Sequence, residues 1–384
     1  MEKCSDLLEW VGPDMSINVF SLLDDPKILV RAGAVSRSWR RFVIENAFCK
    51  KLYMRIFPEA SCLMHVVEVE NVSENAEAGS SSSAEWESLE REHRVYALLL
   101  AQSLSSQAEI NKACIIEPVS ASSTDNFPDE SIVNTLEPND RVHRRPSYWS
   151  SDGERDPGVP ETLTYKLKSK LCLVSEISVQ PFQAFFQPGQ PIYSSKAVRI
   201  RMGYSKKSEE MNLQTVERIK LKRRFDDDDY VWTYVSPEYP MAQENTLQSF
   251  KLPRPVICVG GIVRIELLGR VQKQDMDGLY YICVCHVQVI GRPLSPAFEV
   301  DFLRHLGSCV LKYFPGARDY ASPKEGIEDE NGGSSSWHAF ATRIRMLRAG
   351  RGAYRTLLNT LLGGQADEDD DVDESDDEIE LLEG

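Results

Sequence analysis

The segment from residue 113 to residue 300 restricts the fold most, because its apolar spacing differs from that of the sequence on either side. Runs of β-branched and aromatic residues replace the helical spacing, and glycine and proline turns separate them. Few stretches between these runs have a helical pattern, which favours an antiparallel β-sandwich, jelly-roll-like, over alternating strands and helices. The best strand candidates are residues 174–182, 198–202, 231–235, 256–268 and 279–290.

Helical periodicity dominates on both sides of the sandwich, so the sequence predicts a multidomain α+β chain. Two stretches that are poor in large apolar residues, one Ser-rich and acidic and the other mostly acidic, predict disorder. The predicted parts are a helical domain at 5–57, a disordered linker at 68–85, a connecting helix at 86–112, the sandwich at 113–300, C-terminal helices at 301–363 and a disordered acidic tail at 364–384.

The net charge of −15 comes mostly from the end of the chain, because residues 367–384 hold 12 acidic side chains and no basic ones. The remainder is nearly neutral, which argues against general nucleic-acid binding. No run approaches the roughly 20 apolar residues of a membrane span, and the first residues lack the apolar core of a secretory signal. Nine scattered cysteines indicate reduced thiols, and we expect the protein in the cytoplasm and/or nucleus. Ser375, followed by three acidic residues, is a candidate phosphorylation site.

Motifs for catalysis, metals and cofactors are missing from the sequence. It has no Gly-rich phosphate loop, no His-Glu-x-x-His and no Gly-x-Ser-x-Gly. Cys283 and Cys285 lie two residues apart, beside His286, but no second Cys/His pair has a useful spacing, so we expect buried strand cysteines. The sequence therefore predicts no catalytic residue, no metal and no cofactor.

The N-terminal residues 11–58 carry a Pro13 helix start, an Asp-Asp-Pro break at 24–26, and then Val-Ser-Arg-Ser-Trp-Arg at 35–40. This pattern resembles the F-box. It departs from that family at Gly12, where leucine usually precedes proline, and at residues 15–18, which are more polar than usual. The resemblance implies docking onto a Skp-family adaptor and, through it, onto a cullin–RING ubiquitin ligase.

A helical unit of about 45 residues buries little surface alone, so an apolar face for a partner is expected. The alternative is that this unit packs only onto the C-terminal helices of its own chain. The candidate adaptor contacts are Pro13, Leu22, Leu29 and Val35, together with Trp39 and Phe42. We expect Trp39 and Phe42 to be shared between the core of the unit and the interface.

The β-region resembles discoidin-like, galactose-binding-like jelly rolls. The resemblance rests on Ser-Ala-Ser-Ser at 120–123, Tyr-Trp-Ser-Ser at 148–151, and the strand-like segments that follow. In such folds the loops at one end hold the ligand, so a recognition domain is implied, without a choice between sugar, lipid and peptide. Aromatic residues dominate binding hot spots, although sandwich core is the alternative for each of them. The candidate substrate contacts are Tyr148, Trp149, Trp232 and Tyr239.

These features together predict a non-catalytic substrate-recognition subunit of an SCF-type (Skp–cullin–F-box) ubiquitin ligase, with an unknown protein substrate. The chain resembles plant F-box proteins whose C-terminal domain is not built from repeats, and no repeat period is visible. The alternative is a ligand- or carbohydrate-binding protein whose F-box-like segment is only a helical cap. An enzyme is the weakest of the three interpretations, because no catalytic constellation is present.

Overall fold

We describe the fold from a computed structural model of the chain. The described residues are 6–69, 81–105, 112–142, 145–206, 229–303 and 307–318. Most of the predicted linker, the predicted C-terminal helices beyond residue 318, the acidic tail and Ser375 lie outside these residues.

The described residues contain six α-helices, all of them before residue 104. Their starts follow from local chemistry: Asp25 accepts a hydrogen bond from the Lys27 amide at 2.8 Å, and Pro26 occupies the first turn of the third helix. Ser36 caps the fourth helix through the Trp39 amide at 3.1 Å. The helices are α1 (Leu7–Val11), α2 (Pro13–Ser21), α3 (Pro26–Gly33), α4 (Arg37–Glu45), α5 (Phe48–Ile56) and α6 (Ser81–Ser103).

The N-terminal helical unit, predicted at 5–57, holds five helices, α1 to α5. Both ends of the predicted connecting helix differ from the observed ones, because α6 ends at Ser103 rather than at residue 112. The connecting helix α6 begins at Ser81 rather than at residue 86, so it takes in the serine-rich end of the predicted linker. Serine has weak helix propensity, which is why composition alone assigned this stretch to the linker.

Nineteen β-strands are assigned within the described residues. Each sequence-predicted strand overlaps an observed one, although the candidates at 256–268 and 279–290 are each divided between two strands. The strands are β1 (Leu63–Glu68), β2 (Lys112–Ala113), β3 (Ile115–Ala121), β4 (Arg141–Val142), β5 (Arg145–Pro146), β6 (Trp149–Ser150), β7 (Glu161–Leu167), β8 (Leu171–Gln183), β9 (Ile192–Tyr193), β10 (Ser195–Ser205), β11 (Tyr230–Val235), β12 (Tyr239–Pro240), β13 (Gln248–Val259), β14 (Ile262–Arg270), β15 (Gln272–Lys273), β16 (Tyr280–Tyr281), β17 (Cys283–Pro293), β18 (Phe298–Leu303) and β19 (Ser308–Tyr313).

Two six-stranded antiparallel sheets form the predicted sandwich. One has the order β11-β10-β14-β7-β3, with β12 also paired to β10. The other has the order β13-β8-β17-β2, with β6 on β17 and β9 on β8. Gly260 and Gly261 connect β13 to β14 and have φ of 104° and 67°, a region that L side chains rarely adopt. The small N-terminal helical unit followed by an antiparallel β-sandwich confirms the predicted fold class.

The sheet containing β8 and β13 is apolar on both faces near the Gly260 turn. Cys172 and Val174 face the interior of the sandwich, whereas Leu171 and Leu173 face a second core on the outside. Strands buried on both faces have continuous apolar runs instead of an alternating pattern. The outer face of this sheet therefore supplies a surface for the helices.

The prediction of C-terminal helices is wrong at residues 301–303 and 308–313. These residues belong to β18 and β19, which form a three-stranded sheet with β1 in the order β1-β19-β18. β19 pairs in parallel with β1, and Leu63 lies opposite Cys309. The partner strand is almost 250 positions away in the sequence, so a local pattern could not indicate it.

The second core joins the helical unit to the three-stranded sheet and the sandwich. It contains Phe20, Leu29 and Tyr53 from the helical unit, and Leu99 and Leu100 from α6. The rings of Tyr53 and Tyr96 lie 5.8 Å apart between α5 and α6. The helical unit thus completes its core with α6 and two sheets of its own chain. The C-terminal helices that the alternative invoked lie beyond residue 318, outside the described residues.

Candidate functional site

Helix α2 has one buried and one exposed apolar face. Phe20 is buried, as is Ser16, whose hydroxyl donates to the Gly12 carbonyl at 2.7 Å. Met15, Val19 and Leu22 recur every three or four positions, and all three are more than half exposed, with Leu22 at 78%. This spacing places them on one side of the helix. We call these three residues the α2 face.

The segment after α3 continues the exposed apolar surface of the helical unit. Val35 is 63% exposed, and Ile28 and Val30 on α3 are also exposed. Pro13 is exposed at the start of α2. Of the predicted adaptor contacts, Pro13, Leu22 and Val35 are therefore accessible to a partner.

Leu29 is placed differently from the prediction. It is 1% exposed and belongs to the core that the helical unit shares with α6. Its neighbours Ile28 and Val30 point outward instead, because consecutive helical residues are about 100° apart around the axis. Leu29 holds the helical unit together and cannot contact an adaptor in this conformation.

Trp39 and Phe42 lie at the edge of the core. Their ring centroids are 5.6 Å and 5.4 Å from that of Phe20, both with edge-on geometry. The Trp39 indole N–H donates to Asp6 Oδ1 at 2.6 Å, which ties α1 to α4. Both side chains are half-buried, in agreement with the expectation that they are shared between core and surface.

Trp149, predicted as a substrate contact, is a core residue of the sandwich. It is 0% exposed, and its indole N–H donates to the Ser123 carbonyl at 3.0 Å. A buried tryptophan needs a partner for its N–H, and this bond provides one. The Tyr-Trp-Ser motif therefore positions Trp149 for packing, and the prediction of a substrate contact there is wrong.

The other three predicted substrate contacts do not converge on one site. Trp232, on β11, stacks on Tyr230 with centroids 5.1 Å apart, and the Arg264 guanidinium lies 4.7 Å from its ring. Tyr239, on β12, lies 5.7 Å from Phe250. Tyr148 precedes β6, in the opposite sheet. The sequence identified aromatic residues near loops, but it could not show which of them share a surface.

Tyr148 belongs to a compact aromatic group at one end of the sandwich. Its ring stacks on Phe182 at 3.9 Å and 10°. Phe182 is followed by a loop whose Phe185 and Phe186 rings lie 6.0 Å and 6.2 Å from it. We call Tyr148, Phe182, Phe185 and Phe186 the aromatic rim. In the sequence, this group is indicated by the Pro-Phe-Gln-Ala-Phe-Phe run at 181–186, which places one phenylalanine at the end of β8 and two in the loop after it.

The Tyr148 hydroxyl is fixed in place by Glu130. It donates to Glu130 Oε1 at 2.5 Å, and burial together with this bond raises the pKa of the Tyr148 phenol. Burial also raises the pKa of the Glu130 carboxyl. Both groups are thus part of a structural hydrogen bond that orients the rim.

Cys283 and Cys285 are buried on β17, as expected for strand cysteines. Their thiols lie 3.4 Å from the Ser150 hydroxyl and 3.5 Å from the Pro181 carbonyl. Burial raises the pKa of the Cys285 thiol to about 12. Among the described residues, no group of three or more His, Cys, Asp or Glu side chains could hold a metal ion.

None of the helices among the described residues is long and apolar enough to cross a membrane.

Comparison with known proteins gives a family match near the N-terminus and matches to solved structures. An F-box-like family model matches residues 13–55. Two similar solved structures are family 32 carbohydrate-binding modules, one from Clostridium perfringens NanJ in complex with galactose and one from a Clostridium perfringens family 31 glycoside hydrolase. Both are 12% identical; they cover 44% and 49% of this chain and 89% and 99% of their own, with TM-scores of 0.27 and 0.31. Scores this low carry no argument about a ligand.

A relative from Arabidopsis thaliana matches nearly the whole length. It is an F-box protein that is 46% identical over 380 residues, covering 97% of both chains. The match extends through the sandwich as well as the helical unit. Together with the family match at 13–55 and the helical unit that α1 to α5 form, it shows that the chain belongs to the F-box protein family.

Proposed function

We propose that the protein is the substrate-recognition subunit of an SCF-type ubiquitin ligase. In this role α2 and the segment after α3 bind a Skp-family adaptor, which joins the protein to a cullin–RING ligase. The β-sandwich binds a protein substrate. The subunit performs no chemistry of its own and acts in the cytoplasm and/or nucleus.

The exposed α2 face is the observation that carries the proposal. Met15, Val19 and Leu22 leave apolar side chains in water although the same helix buries Phe20. A contiguous exposed apolar patch on a folded domain marks an interaction surface. A helical face with anchors at i, i+4 and i+7 suits a hydrophobic groove on a partner.

The shared core explains how adaptor binding would position a substrate. Arg254, which follows the middle of β13, pairs with Glu59 directly after the helical unit at 3.0 Å. The second core packs α5 and α6 against the sheets. A rigid connection between adaptor face and sandwich holds a bound substrate at a fixed place, which raises its effective concentration near the ubiquitin-charged enzyme.

A capture experiment with a Skp-family adaptor tests the proposal. The full chain is compared with Leu22→Asp, which places a charge on the α2 face. We expect wild type to be captured, and Leu22→Asp to bind about tenfold more weakly or worse, since burying an unpaired charge at an interface is costly.

Met64→Asp is the matched control, because Met64 is an exposed apolar residue on β1, outside the helical unit. We expect this variant to bind the adaptor like wild type. Circular dichroism and thermal unfolding establish that each variant folds. The proposal fails if folded wild type does not bind the adaptor, or if Leu22→Asp and Met64→Asp bind it equally well.

A further inference from the structure

Helix α1 adds exposed apolar surface to the helical unit, and it lies outside the residues 13–55 that the F-box-like family model matches. Trp10 is 80% exposed, and Leu7, three positions before it, is 53% exposed. Leu8, between them, is half-buried and packs against the second core. The short helix therefore turns one side to the core and leaves a tryptophan in solvent on the other.

Hydrogen bonds at both ends hold α1 in place. Asp6 Oδ1 caps the helix by accepting from the Leu8 amide at 3.2 Å, and it also accepts from the Trp39 indole N–H at 2.6 Å. At the other end the Gly12 amide donates to the Leu8 carbonyl at 3.1 Å. Trp39 belongs to the Val-Ser-Arg-Ser-Trp-Arg motif, so the F-box-like part of the unit fixes where α1 lies. A backbone that is fixed before binding loses less conformational entropy when a partner arrives.

Gly12 lets α1 and α2 follow each other with a single residue between them. Its φ of 83° lies in the region that L side chains rarely adopt; α1 ends before it, and α2 begins directly after it at Pro13. This is the position where the F-box pattern usually has leucine. The departure from the family pattern therefore coincides with the turn that places α1 next to α2.

The exposed sides of α1 and α2 face away from the same core. Residues two positions apart on a helix lie about 200° apart around its axis. Trp10 is therefore nearly opposite Leu8 on α1, and Leu22 is nearly opposite Phe20 at the end of α2. Leu8 and Phe20 both pack into the second core. The Trp10 side of α1 thus continues the outward surface that the α2 face forms.

We propose that Trp10 is an additional anchor for the Skp-family adaptor, and that α1 extends the adaptor surface beyond residues 13–55. The inference rests on the proposed function, since it assigns α1 to the partner of the α2 face, and continuity with that face selects this partner. Tryptophan is enriched among the residues that dominate binding energy at interfaces. Asp6 is a positioning residue, because it holds α1 through its cap and through Trp39.

Calorimetric titration of the full chain with a purified Skp-family adaptor tests this inference. We expect Trp10→Ala to bind the adaptor about tenfold more weakly, because the variant loses a large apolar anchor. Phe186→Ala is the matched control, since Phe186 is an exposed aromatic residue of the sandwich, and it should bind the adaptor like wild type. Circular dichroism establishes that both variants keep the wild-type fold.

A double-mutant cycle tests the role of Asp6. Asp6→Ala removes the cap of α1 and the acceptor for the Trp39 indole. We expect adaptor binding about threefold weaker than wild type, and no further loss when Asp6→Ala is added to Trp10→Ala, because Asp6 acts through α1. Equal losses with and without Trp10 would overturn the link between Asp6 and Trp10.

Iodide quenching of tryptophan fluorescence reports on the burial of Trp10 itself. The difference between wild type and Trp10→Phe isolates this residue, and we expect saturating adaptor to shield it from iodide. Unchanged quenching of Trp10 in the complex would overturn the inference, and so would adaptor affinity that Trp10→Ala leaves unchanged. Either result, with wild type still binding the adaptor, leaves the proposed function standing.

Two further outcomes are distinguishable from these. Self-association of the free chain that depends on Trp10, together with unchanged adaptor affinity in Trp10→Ala, would overturn the inference in favour of a second copy of the chain. Failure of folded wild type to bind the adaptor contradicts the proposed function and the inference together.

Discussion

The helical unit and the sandwich differ in how they bury their apolar residues. The sandwich puts its large side chains between its sheets, as Trp149 and Tyr165 show, both at 0% exposure. The helical unit leaves Trp10, Met15, Val19, Leu22 and Val35 in solvent and completes its core with α6 and the sheets. The sandwich therefore encloses a core between its own sheets, whereas the helical unit completes its core on other elements and leaves an apolar face exposed. The predictions below test this contrast.

The largest effect is expected inside the sandwich. Trp149→Ala removes a fully buried ring and a satisfied N–H, and should lower the free energy of unfolding by about 3–5 kcal/mol. Chemical denaturation of the full chain measures it. Tyr148→Ala, which truncates a half-buried neighbour, should cost less. Equal costs would contradict the core position of Trp149.

Leu29→Ala should give the next largest effect, about 2–5 kcal/mol, because Leu29 fills the shared core. The adjacent Val30→Ala is the matched control, since Val30 is more than half exposed, and its effect should stay within about 0.5 kcal/mol. Chemical denaturation of both variants measures the two changes in the free energy of unfolding. A larger cost for Val30 than for Leu29 would mean that the faces of α3 are assigned the wrong way round.

A smaller effect is expected where the two regions are joined. Arg254→Ala leaves Glu59, which is 3% exposed, without its ion-pair partner. Because Arg254 itself is partly solvated, we expect a loss of about 1–2 kcal/mol rather than the full value for a buried pair. Arg254→Lys should recover part of the loss. Unchanged stability in Arg254→Ala would show that this ion pair does not couple the regions.

The smallest effect concerns pH. Burial, with Arg40 nearby, lowers the pKa of His93 on α6 below its ordinary value of 6.5. The unfolded chain therefore binds a proton at His93 more readily than the folded chain does. As a result, the contribution of His93 to the free energy of unfolding is fully present above about pH 6.5 and is lost as the pH falls below that value. His93→Gln should show a shallower loss of unfolding free energy between pH 7.5 and pH 5.5. The same slope in wild type and variant would exclude His93 as a cause.

Local chemistry was enough to predict much of the fold. The Asp-Asp-Pro break predicted at 24–26 coincides with the start of α3, and three of the five strand candidates each lie within one observed strand. The candidate at 256–268 is instead divided between β13 and β14, which turn at Gly260 and Gly261. These features depend on neighbours in the sequence, where capping and backbone preference act. The resemblance to the F-box could be found for the same reason, because it rests on a contiguous motif, Val35-Ser36-Arg37-Ser38-Trp39.

The errors came from contacts between distant residues. β18 and β19 alternate buried and outer positions, as at Cys309, Leu311 and Tyr313, a period-2 signal that favours strands. The three-stranded sheet itself, in which β19 pairs with both β1 and β18, depends on the tertiary fold. Likewise, α3 has three consecutive apolar residues, and the sequence alone cannot say which of them faces the core. The aromatic rim depends on a strand, a loop and a preceding segment that meet only in the folded chain.

Hydrogen–deuterium exchange of the full chain, with and without a saturating Skp-family adaptor, tests the central claim most directly. Amide exchange slows where binding suppresses local opening. The account predicts slower exchange in residues 13–35, which carry the α2 face and Val35, and unchanged exchange around the aromatic rim. Protection confined to the sandwich, or no protection at 13–35 at saturating adaptor, would contradict it.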